Sequence, residues 1–184
     1  MNSNLFEGDL VRFITTDIKT AAENTARWVA DTEYMRFLDS DPPRPATAQA
    51  LQAEWEKETP DPQKFVVFDI QAKADARLIG FIALFNFHWN HGEAWVGIGI
   101  GEREYRGKGY GTDAMRLLLR YAFTELNLNR VTLVVFGYNP RAMRSYEKAG
   151  FVLEGRQRRC LHRDGQWWDE VFMGVLREEW QSQQ

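Results

Sequence analysis

An α/β fold, built as a single domain around one mixed sheet, is what this sequence predicts, and three observations carry that reading. β-branched and aromatic runs follow one another between residues 65 and 100, the pattern then changes to helix, strand and helix, and a final pair of strand-like runs closes the chain. The 184 residues, 44% hydrophobic and 14% aromatic, supply enough apolar surface for one core without disulfide or metal staples.

Taken in order, residues 10–14 read as a short strand, and residues 21–37 carry Trp28, Val29, Met35 and Phe37 at helical spacing. The segment Asp41-Pro-Pro-Arg-Pro45 is a loop, because proline fixes φ and removes amide donors. Thr47 caps a second helix over residues 47–58. Residues 65–70 and 78–85 form a hairpin across the polar segment 72–76, and residues 94–100 extend the meander. Gly97 and Gly99 inside that third strand suggest a bulge or the close approach of another backbone. A helix over residues 112–126, a strand over 130–136 and a helix over 140–149 follow. Residues 154–163 and 167–176 make a last hairpin, turned at Asp164-Gly165.

A net charge of −3 provides no global positive field, which argues against DNA or an anionic membrane as partner. The charge is divided unevenly, with 9 basic and 15 acidic side chains in residues 1–100 and 14 basic and 11 acidic in residues 101–184. Cys160 is the only cysteine, so neither an intramolecular disulfide nor a polythiolate zinc site is available, and no metal is expected. The opening residues have neither a basic nor an apolar targeting region, and no run of 18 apolar residues occurs, so a cytoplasmic, soluble protein is expected.

Chemistry concentrates in two segments. In Arg106-Gly-Lys-Gly-Tyr-Gly111 alternate glycines let the backbone turn its N–H groups inward at a helix start, which suits an anion and phosphate above all. The spacing fits neither the dinucleotide fingerprint nor the P-loop. In the second segment, residues 139–151, Asn139 suits an N-cap, Pro140 the first helical position and Gly150 a left-handed end. Tyr146 falls two turns into that helix, where a tyrosine serves either packing or proton transfer.

These two segments resemble the Q/R-x-x-G-x-G/A loop and the N-x-x-A-x-x-x-Y-x-K-x-G-F segment of the GCN5-related N-acetyltransferases (GNAT), in that family's order and separation. Within the family the chain is most similar to ribosomal-protein N-terminal acetyltransferases and spermidine acetyltransferases, through residues 10–12, 28–33 and 165–169. The resemblance implies a sheet splayed at an acetyl-CoA site and flanked by helices. It places the pantetheine arm on the backbone of Ile98, Gly99 and Ile100 and beside Asn139. The pyrophosphate would rest on the amides of Arg106, Gly107, Lys108, Gly109, Tyr110, Gly111 and Thr112. Tyr146 becomes the general acid for the departing CoA thiolate, and Glu93 the candidate base, direct or through water, with an exposed turn glutamate as its alternative. The acceptor is a primary amine, either a protein N-terminus or a small amine, with a polyamine as alternative; Asp31, Glu33, Asp39 and Asp41 favour the latter.

A catalytically inactive acetyl-CoA sensor and an RNA-binding module remain as readings from other classes. The latter rests on Arg156, Arg158 and Arg159, which could also meet a nucleotide 3′-phosphate or merely line an exposed strand. His88 and His91 could face the acceptor but make a poor metal site. Trp89, Trp95, Trp167 and Trp168 suit either a homodimer interface or an acceptor groove, and homodimerisation is expected. The triplet His162-Arg163-Asp164 is explained by the hairpin turn and not by kinase chemistry.

Overall fold

The computed structural model describes residues 4–57 and 61–183. The first three residues of the chain and Glu58, the expected end of the second helix, lie outside them. Seven strands, β1 (Val11–Ile14), β2 (Phe65–Ala72), β3 (Leu78–His88), β4 (Glu93–Ile100), β5 (Arg130–Phe136), β6 (Val152–Arg163) and β7 (Gln166–Leu176), form one sheet in the order β1-β2-β3-β4-β5-β7-β6. All neighbours are antiparallel except β4 and β5. The helices are α1 (Ile18–Val29), α2 (Thr32–Leu38), α3 (Ala48–Trp55), α4 (Tyr110–Thr124), α5 (Pro140–Lys148) and α6 (Arg177–Gln181). None of those described is long and apolar enough to cross a membrane.

The crossover helix α4 organises the core. Met115, Leu118 and Leu119 are fully buried on it, in one cluster with Ile82 and Leu84 of β3 and Val131 and Leu133 of β5. Burying each such side chain contributes about 1.5–3 kcal/mol, which holds β4 and β5 to a common helix even where they do not pair with each other.

Several local expectations are corrected. Residues 21–37 are not one helix: α1 starts earlier, capped by Asp17, and ends at Val29. The Asp31 carboxylate then accepts from the Glu33 and Tyr34 amides and starts α2 in a new direction. Helix α4 begins at Tyr110, two residues early, because Gly109 at φ 93° leads straight into it. Helix α6 was not anticipated; the Glu179 carboxylate reaches back to the Leu176 amide to start it. No register break occurs at Gly97 or Gly99, since the β3–β4 irregularity falls between Phe85 and His88. Side chains explain those glycines: a Cβ on Gly97 would lie 3.3 Å from the Phe85 ring, and one on Gly99 would collide with the Tyr34 hydroxyl. The close backbone approach belongs to Gly80, whose Cβ would strike the Gly99 carbonyl.

Where β4 ends, Glu102 ties three elements together. Only 8% exposed, it accepts from Trp28 Nε1 at 3.0 Å, Arg27 at 2.9 Å and Arg77 at 2.7 Å, joining α1 and the β2–β3 turn to the end of β4. Both arginines are partly solvated, so the loss on truncation is that of charge-assisted hydrogen bonds and a stranded indole donor. Glu102→Ala should therefore destabilise the fold by about 2 kcal/mol in denaturant unfolding; an unchanged midpoint would contradict this role.

Candidate active site

Strands β4 and β5 pair only through Glu93, Ala94 and Trp95, against Arg130, Val131 and Thr132. Beyond Trp95, β4 stays with β3 as far as Ile100 and β5 stays with β7 to Phe136, so the two inner edges part. Backbone donors and acceptors on such edges require partners from elsewhere. A cleft of about 590 Å³ opens there, walled by α2, β4, the turn leading into α4, and α5.

The turn is built for an anion. Gly107 at φ 75° and Gly109 at φ 93° hold conformations that side chains disfavour, and no side chain caps α4. Among the described residues, no acceptor takes a hydrogen bond from the amides of residues 107–112. A row of free N–H groups at a helix start presents partial positive charge to the cleft. Neither Lys108 nor Tyr110 lines the cleft, and Tyr110 packs edge-on against Tyr105.

Arg106 does something other than expected. Its amide is spent on the Arg103 carbonyl, at 3.2 Å. The guanidinium, 7% exposed, donates to the carbonyls of Ile100 at 2.9 Å and Gly101 at 2.6 Å and to Asp31 at 3.0 Å, while stacking on Tyr34 at 5.4 Å. It anchors the turn while lining the cleft, and it also occupies the Ile100 carbonyl. Burial pushes the Asp31 carboxyl up, but the hydrogen bond and charge of Arg106, aided by the Tyr34 amide and Arg103, outweigh it and hold Asp31 below its ordinary range.

From α5, Tyr146 lines the cleft with its ring 6.1 Å from that of Phe151. Burial pushes its phenol up to about 12. Asn139, 7% exposed, caps α5 by accepting from the Ala142 amide at 3.1 Å, which leaves its side-chain nitrogen as the cleft-side donor. The hydroxyls of Thr112 and Ser145 meet at 2.7 Å and join α4 to α5. Ile98, Gly99, Ile100, Gly107, Gly109, Gly111, Thr112, Asn139 and Tyr146 thus line one cleft.

Glu93 does not join them. It sits at the paired end of β4, accepting from Thr132 Oγ1 at 3.2 Å and lying 3.6 Å from Arg130 Nε and 3.7 Å from His88 Nδ1. Five residues of strand place it about 16 Å from Ile98. Arg156, Arg158 and Arg159 lie on β6 at the outer edge of the sheet and do not line the cleft either. Trp89 stacks on Phe87 at 4.5 Å and Trp95 packs edge-on against Phe172. Trp168 lines a second cavity of about 310 Å³ with Glu33, Tyr138 and Asp164, and Phe37 forms a wall of both cavities.

Sequence reasoning missed the cationic rim of Arg116, Arg141, Arg144 and Lys148. Three of these recur at positions i, i+3 and i+7 of α5, a spacing that puts them on one helical face and could have revealed them. Among the described residues lining the cleft, two carry carboxylates, Asp9 and Asp113, and Asp113 is engaged by the Asp9, Leu10 and Val11 amides.

The sequence profile of the acetyltransferase (GNAT) domain matches residues 10–152. The chain belongs to the GNAT acetyltransferase family. As a GNAT enzyme it is an acetyl-CoA-dependent N-acetyltransferase. It is 30% identical over 151 residues, 82% of each chain, to the SPbeta prophage-derived uncharacterized N-acetyltransferase YokL of Bacillus subtilis. It is 34% identical over 118 residues to the spermidine N(1)-acetyltransferase of Vibrio cholerae, covering 64% of this chain and 65% of that one. The fold of the Vibrio cholerae spermidine N-acetyltransferase in complex with CoA and spermine superposes with a TM-score of 0.81 at 24% identity, over 94% of this chain and 98% of that one.

The anchoring role of Arg106 in this GNAT cleft is open to test by calorimetry. Arg106→Lys keeps the charge but cannot reach two carbonyls and Asp31 at once, so CoA affinity should fall about tenfold, the equivalent of one charge-assisted hydrogen bond. Affinity within twofold of wild type would show that the turn holds its shape without the fork.

Proposed function

We propose that the cleft binds acetyl-CoA along the parted edge of β4 and delivers its acyl group to a small primary amine entering past Phe37. The observation that carries this reading is the convergence, on one opening in the sheet, of free amides, an unpaired strand edge and a proton-bearing phenol. The amides of residues 107–112 and the rim of Arg116, Arg141, Arg144 and Lys148 suit a pyrophosphate and further phosphate. The edge of β4 at Ile98 and Gly99 and the side-chain nitrogen of Asn139 suit the amides of a pantetheine arm.

Acetyl-CoA supplies the activated thioester. The amine nitrogen attacks the acyl carbon, the C–N bond forms and the C–S bond breaks, so sulfur leaves with the electron pair. Tyr146 gives its proton to that sulfur and recovers one, through solvent, from the acylated nitrogen. A phenol held near 12 stays protonated until the thiolate forms, and a thiol with a pKa near about 8.5 leaves more readily with a donor in place. Because Glu93 is remote, the attacking amine is taken from solution as its free base.

The second cavity adds aromatic faces from Phe37, Tyr138 and Trp168, while its carboxylates are met by cations, Asp164 by Arg36 and Glu33 by Arg103 at 3.3 Å, and Arg163 lines it too. The likeness to a spermidine acetyltransferase supports a polyamine among the acceptors. A cytoplasmic setting, a single domain over the whole chain and a homodimer belong to the same proposal, supported by the lone Cys160, the single sheet and the exposed Trp167.

Incubation with acetyl-CoA and a panel of polyamines, amino acids and short peptides should give amine-dependent CoA release with a matching acetylated product by mass; CoA binding without any product would overturn the transfer reading. Tyr146→Phe should lower kcat by roughly 10²–10⁴-fold with CoA affinity retained, and wild-type turnover with chemistry limiting would remove Tyr146 from the reaction. The pH profile separates the two groups. An alkylammonium with a pKa near about 10.4 yields about tenfold more free amine per pH unit below that value. With Tyr146 still protonated, kcat/KM should climb from pH 7 to pH 9.5 with no descending limb, and a fall within that range would mean that a different acid serves the thiolate.

A further inference from the structure

One polar group lining the cleft has no task in the fold. Tyr34 is 5% exposed and lines the cleft from α2, and no described residue hydrogen-bonds its hydroxyl. The oxygen rests against Gly99, where a Cβ would collide with it and lie 3.1 Å from Cζ. Gly99 is on the stretch of β4 that has parted from β5, beside the opening that Tyr146 lines from α5. Behind the ring, the Arg106 guanidinium stacks at 5.4 Å, and Asp31 caps α2 at the Tyr34 amide, so the phenol is fixed in place.

We infer that Tyr34 is a second catalytic phenol, which donates a hydrogen bond to the acyl carbonyl oxygen as the amine attacks. The inference rests on the cleft being the acetyl-CoA site. Negative charge collects on that oxygen when the C–N bond forms and disperses when the C–S bond breaks, so a donor already in place lowers the barrier without reorganising. Burial pushes the Tyr34 phenol well up, with the charge of Arg106 offsetting part of the rise, so it donates a hydrogen bond and does not accept the amine's proton. Nor does it serve the amine as a donor, since engaging the nitrogen lone pair would block attack. The acyl oxygen is the reacting atom that needs such a group, while Tyr146 serves the sulfur. The two phenols divide the charge of one step.

Tyr34→Phe keeps the ring and its stack with Arg106 and removes a hydroxyl that no protein group uses, so the fold should melt as wild type does. With CoA affinity and amine KM within twofold of wild type, kcat in single-turnover measurements should drop about 10²-fold. An unchanged kcat overturns the assignment, and a raised amine KM with unchanged kcat moves the phenol to acceptor binding and overturns it equally. Failure of the wild-type protein to bind CoA in calorimetry would instead remove the cleft reading itself. Fluorinated tyrosine at position 34, which keeps the hydroxyl but makes it more acidic, gives a second measurement. A kcat that varies with phenol acidity is expected, and one indifferent to it refutes the donor role.

Discussion

Everything functional in this molecule depends on where two parallel strands stop pairing. After Trp95 and Thr132, β4 and β5 each keep an antiparallel neighbour on the far side but lose each other. A sheet interior normally has no free backbone groups; here an opening is made inside it and not at its rim. The separation is tolerated because α4 still packs across both strands with a continuous apolar face, and because Arg106 satisfies the Ile100 and Gly101 carbonyls at the end of the opened strand.

The second dependency is electrostatic. Asp31 caps α2 and holds Arg106, while Arg106 carries the turn before α4, so the α2 wall of the cleft and the glycine turn share one ion pair. Its near burial means that neither partner can be removed without leaving the other charge poorly solvated. Asp31 contributes to stability above the pH at which it titrates in the unfolded chain, and that contribution is lost as pH falls through its lowered folded value. Acid therefore loosens the glycine turn and the α2 wall of the cleft together.

Much of this was legible in the sequence, for physical reasons that differ from site to site. Asp164-Gly165 fixed a tight hairpin because both residues tolerate positive φ, and they show 52° and 73°. Asn139, Pro140 and Gly150 bounded α5 through local capping chemistry. The sharp turn before α4 was legible in its glycine spacing, and Gly107 and Gly109 take positive φ there. What could not be read was long-range. Asp31 broke a helix that its flanking residues would have continued, and the partner that rewards the break, Arg106, is 75 residues away. Glu93 looked close to the site because it begins the right strand, but a strand adds about 3.3 Å per residue and the opening lies at its other end. Gly99 was recognised as unusual for the wrong reason, since the crowding comes from a tyrosine on α2.

The outer edge of the sheet carries its own consequence. Strand β6 is twelve residues long, yet its pairing with β7 shifts twice, Arg159 stands at φ 52°, and Arg156, Arg158 and Arg159 are exposed along it. The opposite edge, β1, offers only four residues. A kinked, cationic border at one side and a truncated one at the other deny an incoming strand a flat template. The sheet is thus opened at its centre while both of its borders make poor templates for an added strand.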